Sequence, residues 1–329
     1  MRVHIQNLPP RPDAVIMDEP VLAEDWHAAV ERMGEGELHA VTFGETMDDF
    51  SKFIDGAEVL VTSAGNIPRI FPAHCQKLKA IFCLSAGLEK LPFDTLPPGV
   101  LVLNNSGAQS EKAAEWALMC LLMLANKMPA FITDQRQAIW NRRTGTVLRG
   151  KRLTLIGLGG LGNAIAEAAS RFGLRVTGVR SSAMLHRHCE RVITLQDLDE
   201  VLPETDFLLL ACPLTEATRG IIDRPRLCLL PATAGIVNIG RGPLIDMDAL
   251  CDTLDADRLS GALIDVFDVE PVQAGSRLWT TRNLVMTPHV SCIDERGYIS
   301  RSLEVLLLNL SALEQGKPPP NTFDPRRGY

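Results

Sequence analysis

The chain has 329 residues, enough for two hydrophobic cores, and its composition, 46% apolar and 22% charged, is that of a compact globular protein rather than a disordered or fibrous one. A net charge of −7 speaks against a nucleic-acid partner, whose affinity would rest on clustered Lys and Arg. The 8 cysteines lie scattered in apolar runs without a CxxC pair, which reads as reduced thiols with no disulfide framework and no metal site.

The N-terminal Met1-Arg2-Val3-His4 lacks the apolar stretch of a secretory signal, so a cytoplasmic location is expected. Short β-rich runs follow at Ala14–Met17, Ala40–Phe43, Val59–Thr62, Ala80–Leu84 and Leu101–Leu103, with helical stretches between them. That rhythm predicts parallel strands joined by helical crossovers. From Ser110 to Ile132 the pattern is helical, with Glu111 and Glu115 early and Lys127 late, as the helix dipole prefers. This helix is expected to bridge two domains, and its surplus apolar surface points to a homodimer. Its most apolar part, Trp116 to Asn126, is far shorter than the ~20 residues of a bilayer span, so no membrane partner is expected.

A second series opens at Arg152–Ile156 and continues through Arg175–Val179, Phe207–Ala211, Gly235–Ile239, Ala262–Val266 and Leu284–Met286. Those six segments predict a full dinucleotide-binding sheet. The run Ile299–Leu313 is again helical, and a polar, Pro-rich tail follows Gly316.

The strongest local signal is Gly157-Leu158-Gly159-Gly160-Leu161-Gly162, placed between an apolar strand and a helical run. Gly157 allows a tight turn, Gly159 lets the backbone approach a diphosphate, and Gly162 lets helix and strand pack closely, with the helix N-terminus facing the anion. At the end of the next strand stands Arg180, followed by Ser181 and Ser182, where an NAD-specific site usually carries a carboxylate for the ribose 2′-hydroxyl. An arginine there favours NADP(H), with NAD(H) still possible; the alternative is a solvated loop charge with a carboxylate elsewhere holding the ribose. Arg241, Glu270 and His289 each follow a predicted strand, the end at which ligands bind in doubly wound sheets. Each taken alone could equally be a cap, a turn residue or a surface group.

In sequence order, Ser85-Ala86-Gly87, Asn104 with Gly107 and Ala114-Glu115, Gly157–Gly162, Cys212-Pro213-Leu214-Thr215, Asn238 with Arg241-Gly242, Asp265-Val266-Phe267 with Glu270-Pro271, and Thr287-Pro288-His289 make a pattern over almost the whole chain. It resembles the D-isomer-specific 2-hydroxyacid dehydrogenases, among them the glyoxylate/hydroxypyruvate reductases. The resemblance implies NAD(P)H-dependent reduction of a small 2-keto acid, such as glyoxylate or hydroxypyruvate, to the D-2-hydroxy acid. His289 would be the general acid, Glu270 would orient it and favour its protonated form, and Arg241 would grip the substrate carboxylate. Ser85, Ala86, Gly87 and Gln109 would line the substrate side together with Arg241 and His289. Around the cofactor it would set Gly157, Gly159, Gly160, Leu161, Gly162, Arg180, Ser181, Ser182, Cys212, Pro213, Thr218, Ile239, Gly240, Arg241, Asp265 and His289, with Asp265 on the nicotinamide carboxamide. For Cys212 a small buried core residue is an equal alternative.

The implied fold is α/β: two Rossmann/flavodoxin-like doubly wound parallel-sheet domains with a cleft between them. The substrate domain would comprise 1–105 plus 293–329, and the dinucleotide domain 106–292. Gly160 replaces a frequent Arg or Lys of the family, Ser106 a Pro and Gln109 an Asn, so substrate identity does not carry over. Too little follows Leu313 for the regulatory domain of some phosphoglycerate dehydrogenases. Formate dehydrogenases share the architecture but pair histidine with glutamine, against which Glu270 speaks. A nucleotide-sensing corepressor-like protein, or a non-catalytic NADP-binding one, is the alternative from another class.

Overall fold

The computed structural model of the chain describes residues 1–9, 20–34, 39–73, 75–88, 91–294 and 297–325. It divides into two compact units, Met1–Gln109 with Asp294–Tyr329, and Ser110–Ile293. The expected strand Ala14–Met17 lies outside the described residues.

In the first unit the strands are β1 (Arg2–Gln6), β2 (Ala40–Gly44), β3 (Val59–Thr62), β4 (Ala80–Cys83) and β5 (Leu101–Leu103), with helices α1 (Ala23–Met33), α2 (Met47–Phe53) and α3 (Ile67–Ile70). They form a parallel sheet in the order β2-β1-β3-β4-β5. β1 was not anticipated. Its Val3, His4, Ile5 and Gln6 are all buried, as in a parallel strand covered on both faces, and the two polar members break the apolar run that would have announced it. His4 is satisfied inside: Nε2 lies 2.9 Å from Gln6 Oε1 and Nδ1 2.9 Å from Thr42 Oγ1. The C-terminal helix Tyr298–Glu314 buries Leu303, Leu306, Leu307 and Leu310 in the same core as Trp26, Ala29 and Val30 of α1. Tyr298 Oη donates to Leu84 O at 2.6 Å, and Asn105 Nδ2 donates to Ser302 Oγ at 2.7 Å. These contacts join the end of the chain to the first unit across a long gap in sequence.

The second unit begins with α4 (Ser110–Ala125) and α5 (Met128–Arg136), then runs β6 (Arg152–Ile156), α6 (Gly160–Arg171), β7 (Arg175–Val179), β8 (Arg191–Ile193), α7 (Leu198–Val201), β9 (Phe207–Leu210), α8 (Arg224–Leu229), β10 (Gly235–Asn238), α9 (Met247–Asp255), β11 (Gly261–Ile264) and β12 (Leu284–Met286). The sheet is parallel, in the order β12-β11-β10-β9-β6-β7-β8. It has seven strands rather than the six expected; β8 is a short edge strand entered through the turn-rich stretch after Arg180. The expected single helix from Ser110 to Ile132 is two helices, bent by 65°. Lys127 adopts the left-handed conformation (φ 58°) and Pro129 stands in the first turn of α5, where its missing N–H does no harm but where it could not continue α4. No single helix among the described residues is long and apolar enough to cross a membrane.

One face of this sheet packs on α4 and α6 through Ala117, Leu121, Leu124, Ile165 and Ala169, and the other on α7, α8 and α9 through Leu198, Leu227, Leu250 and Leu254. The chain leaves β6 toward β7 and β8, then returns to β9 on the other side of β6 and builds outward to β12. The direction of winding therefore reverses between β6 and β9. At such a switch point two loops diverge above the strand ends and leave room for a ligand.

Candidate active site and dinucleotide loop

Gly157 leaves β6 at this switch point with φ 103°, and its N–H donates to Val179 O at 2.8 Å. A Cβ here would stand 2.7 Å from Cys212 N, so only glycine lets the loops after β6 and β9 pass each other. Gly162 is tighter still, since a Cβ on it would sit 1.8 Å from Gly157 O; α6 rests directly on the strand end. Gly159 is the opposite case, with nothing within 4 Å of where its Cβ would be. The first amides of α6, those of Gly160, Leu161 and Gly162, have no carbonyl one turn earlier to bond and look out over this open ground. Bare backbone, free amides and the positive end of a 12-residue helix fit a diphosphate.

Around this turn, Arg180 follows β7 and its N–H donates to Ile193 O at 3.1 Å; Ser181 and Ser182 are exposed. Cys212 is buried in the core beside β9, and burial pushes its thiol up to about 12, so it is a small packing residue and no nucleophile. Thr218 Oγ1 donates to Pro213 O at 2.8 Å and accepts from Thr215 N–H at 2.8 Å, which closes the turn after Cys212. Its role is to shape that turn. Ile239 is buried, and Gly240 is held by its N–H to Asn238 Oδ1 at 3.0 Å; a Cβ on Gly240 would press on Cys212 O at 2.9 Å.

The loops after β10, β11 and β12 carry Arg241, Glu270 and His289. Because the strands are neighbours in register, Asn238 beside Ile264 and Ile264 beside Met286, their loops emerge side by side. Gly242 lies so close to the Phe267–Asp268 peptide that a Cβ on it would meet Phe267 C at 2.2 Å. Asn238 Nδ2 donates to Arg241 O at 2.9 Å, and Arg241 Nη1 donates to Gly240 O at 2.8 Å.

His289 Nδ1 stands 2.8 Å from Glu270 Oε2, while Glu270 Oε1 accepts the Phe267 N–H at 2.8 Å. An ionised carboxylate only accepts, so the Nδ1 hydrogen belongs to this bond and Nε2 is the nitrogen left to face a ligand. The imidazole is 36% exposed, so the pair is reachable. His289 has φ 56°, a conformation unfavourable for a residue with a side chain, and its N–H is fixed by Asp265 O at 2.9 Å and Thr287 O at 3.0 Å. Asp265, 1% exposed, is the hub: Oδ1 accepts from Thr287 Oγ1 at 2.6 Å and from Val290 N–H at 2.9 Å, and Oδ2 from Ser291 N–H at 2.9 Å. Spacing alone had not revealed the parts played by Asn238, Phe267, Thr287, Val290 and Ser291; Phe267, Val290 and Ser291 act through their backbone N–H groups and leave no side-chain signature, whereas Asn238 and Thr287 act through their side chains.

Ser85, Ala86, Gly87 and Gln109 belong to the first unit. The first three follow β4, half-buried, with Asn105 N–H donating to Ser85 O at 3.0 Å; Gln109 is half-buried just before α4.

A parallel nucleotide-binding sheet with a glycine turn at its switch point and a Glu–His pair beyond neighbouring strands defines the class, a dinucleotide-linked α/β oxidoreductase fold. Residues 118–291 match the family described as "D-isomer specific 2-hydroxyacid dehydrogenase, NAD binding domain". The chain is 30% identical over 261 residues to the glyoxylate reductase of Aeropyrum pernix, covering 76% of this chain and 77% of that one. It is 31% identical over 288 residues to the D-3-phosphoglycerate dehydrogenase of Methanocaldococcus jannaschii, covering 86% of this chain but only 54% of that longer protein. Among solved structures, a D-isomer specific 2-hydroxyacid dehydrogenase from Xanthobacter autotrophicus Py2, in complex with NADPH and MES, is 28% identical with a TM-score of 0.79, covering 98% of this chain and 99% of that one. The chain belongs to the D-isomer specific 2-hydroxyacid dehydrogenase family, and its second unit contains the family's NAD-binding domain.

Proposed function

We propose that the protein reduces a small 2-keto acid, of the size of glyoxylate or hydroxypyruvate, to the D-2-hydroxy acid, with NADPH preferred over NADH. The observation that carries this reading is the Glu270–His289 hydrogen bond of 2.8 Å, set beyond β11 and β12 in the sheet that carries the glycine turn after β6.

The residues of the turn fit a dinucleotide: Gly157, Gly159, Gly160, Leu161 and Gly162 for the diphosphate, the Cys212–Thr215 turn and Gly240 beside it, and Asp265 near the nicotinamide end. When bound, the dinucleotide supplies the hydride for the keto carbon. His289 delivers a proton from Nε2 to the carbonyl oxygen, and Glu270 stabilises the imidazolium and fixes the ring. Arg241 holds the substrate carboxylate, for which its planar fork is suited. Support for NADPH comes from Arg180 standing where a ribose-binding carboxylate would exclude the 2′-phosphate, and from the Xanthobacter relative having been solved with NADPH.

We further expect a cytosolic homodimer. All eight cysteines are free thiols, and Met119, Leu122 and Trp140 are exposed on or near α4 and α5, Trp140 at 95%. The oriented Glu270–His289 pair favours catalysis over a nucleotide-sensing role, although a sensing protein on this fold can also retain the pair.

Initial-rate oxidation of NADPH and of NADH with glyoxylate, hydroxypyruvate, pyruvate and phenylpyruvate tests the proposal. Turnover faster with NADPH and lost in His289→Ala is expected. Tight nucleotide binding with no turnover on any of the four acids would overturn it.

A further inference from the structure

Beside α6 the second unit holds a cavity of about 510 Å³, lined on the helix side by Gly160, Asn163 and Glu167 and on the side of the β7–β8 crossover by His186, Arg187 and His188. The crossover residues are locked together. Arg187 Nε donates to His188 Nε2 at 2.8 Å, and the His188 N–H donates to His186 Nδ1 at 3.3 Å. Glu167 is occupied by Arg171 at 2.6 Å and lies 3.8 Å from His188 and 3.9 Å from Arg187, so its charge is offset within the cluster.

With Nδ1 of His186 engaged as an acceptor, the ring hydrogen resides on Nε2. Burial, and then the neighbouring His188, Arg180 and Arg187, hold the His186 imidazole below its ordinary pKa, so it is neutral near pH 7. A neutral imidazole among cations is an N–H donor that needs no change of protonation state to meet an anion. The cavity adjoins Gly160, the residue that opens α6 at the diphosphate turn, and Arg180 acts on His186 from the end of β7.

Building on the reading of this domain as an NADPH site, we propose that His186 discriminates NADPH from NADH as a hydrogen-bond donor, its Nε2–H serving an oxygen of the ribose 2′-phosphate in this cavity. Arg180 and Arg187 supply the charge; His186 supplies direction.

Calorimetric titration of the whole protein with adenosine 2′,5′-bisphosphate and with 5′-AMP tests this without turnover, in the wild type and in His186→Ala and His186→Gln. In His186→Ala the bisphosphate should bind roughly tenfold more weakly, the worth of one hydrogen bond to a charged acceptor, while AMP binds as before. In His186→Gln, whose amide N–H reaches about the position of Nε2, most of the affinity should return. An unchanged bisphosphate affinity in His186→Ala, or an equal loss for AMP, overturns the assignment. So does a glutamine variant as weak as the alanine one. A wild type that binds both nucleotides alike would refute the NADPH preference itself, whereas a wild-type preference retained in His186→Ala refutes only the role of His186.

Discussion

Glu270 divides its carboxylate between two partners, Oε2 to His289 Nδ1 at 2.8 Å and Oε1 to the Phe267 N–H at 2.8 Å. The second bond is what makes the first directional, because it fixes the plane of the carboxylate relative to the ring. Glu270→Gln keeps a carbonyl oxygen to accept from Nδ1 but removes the charge that stabilises imidazolium. We expect kcat for keto-acid reduction to fall by about 10²-fold with KM nearly unchanged, and His289→Ala to cost about 10²–10⁴-fold, the usual range for a positioned proton donor. Steady-state rates for both variants check this; an undiminished kcat in His289→Ala would remove the histidine from the proton path.

Arg241 offers a planar fork held by its own loop, with Nη1 on Gly240 O at 2.8 Å and its carbonyl tied to Asn238. Lysine keeps the charge and loses the fork. Arg241→Lys should therefore raise KM for the keto acid roughly tenfold or more while leaving the dissociation constant of NADPH near the wild-type value. A KM effect absent from the lysine variant would mean that the fork is not used.

Gly162 has no room for a methyl group, with Gly157 O at 1.8 Å from its would-be Cβ. In Gly162→Ala the start of α6 must retreat from the strand end. Thermal unfolding should report a loss of about 1–3 kcal/mol, the cost of overpacking, and nucleotide affinity should drop as well because the helix amides move. Gly159→Ala is the contrasting case: its Cβ meets no protein atom, so stability should hold while dinucleotide binding weakens.

His4 lies 0% exposed in β1, and burial holds its pKa below the ordinary 6.5, opposed by hydrogen bonds to Gln6 and Thr42 and by the charge of Asp49. The unfolded chain takes up a proton on this ring as pH drops through about 6.5, while the folded protein does not until lower pH. The stability that depends on neutral His4 is thus complete above about 6.5 and declines below it, by at most about 1.4 kcal/mol per pH unit. Urea midpoints near pH 7.5 and near pH 5.5 should diverge less in His4→Gln than in the wild type. Equal divergence would show that other groups carry the acid sensitivity.

Local chemistry was legible in the linear chain. The glycine turn announces itself because Gly157 and Gly162 have no room for a side chain and Gly159 keeps the backbone bare, and most strands do because a parallel strand covered on both faces must be a nearly continuous apolar run. Where that rule bends, as at His4 and Gln6 in β1, or where a strand is as short as Arg191–Ile193, the sequence is silent. The helix break at Lys127 was missed because the apolar pattern runs on through it, and only the backbone angle records the turn.

What the linear order could not decide was which loops become neighbours. That β9 lies beside β6 sets Cys212 against Gly157, and that β10, β11 and β12 are adjacent sets Phe267 against Gly242 and Glu270 against His289. The buried hub Asp265, satisfied by two backbone amides and a threonine hydroxyl, exists only once those strands are paired. Residue types and spacing set what each loop can do chemically; distances of 2.8 Å between groups remote in sequence follow from strand order, which depends on the whole buried sheet and not on any local segment.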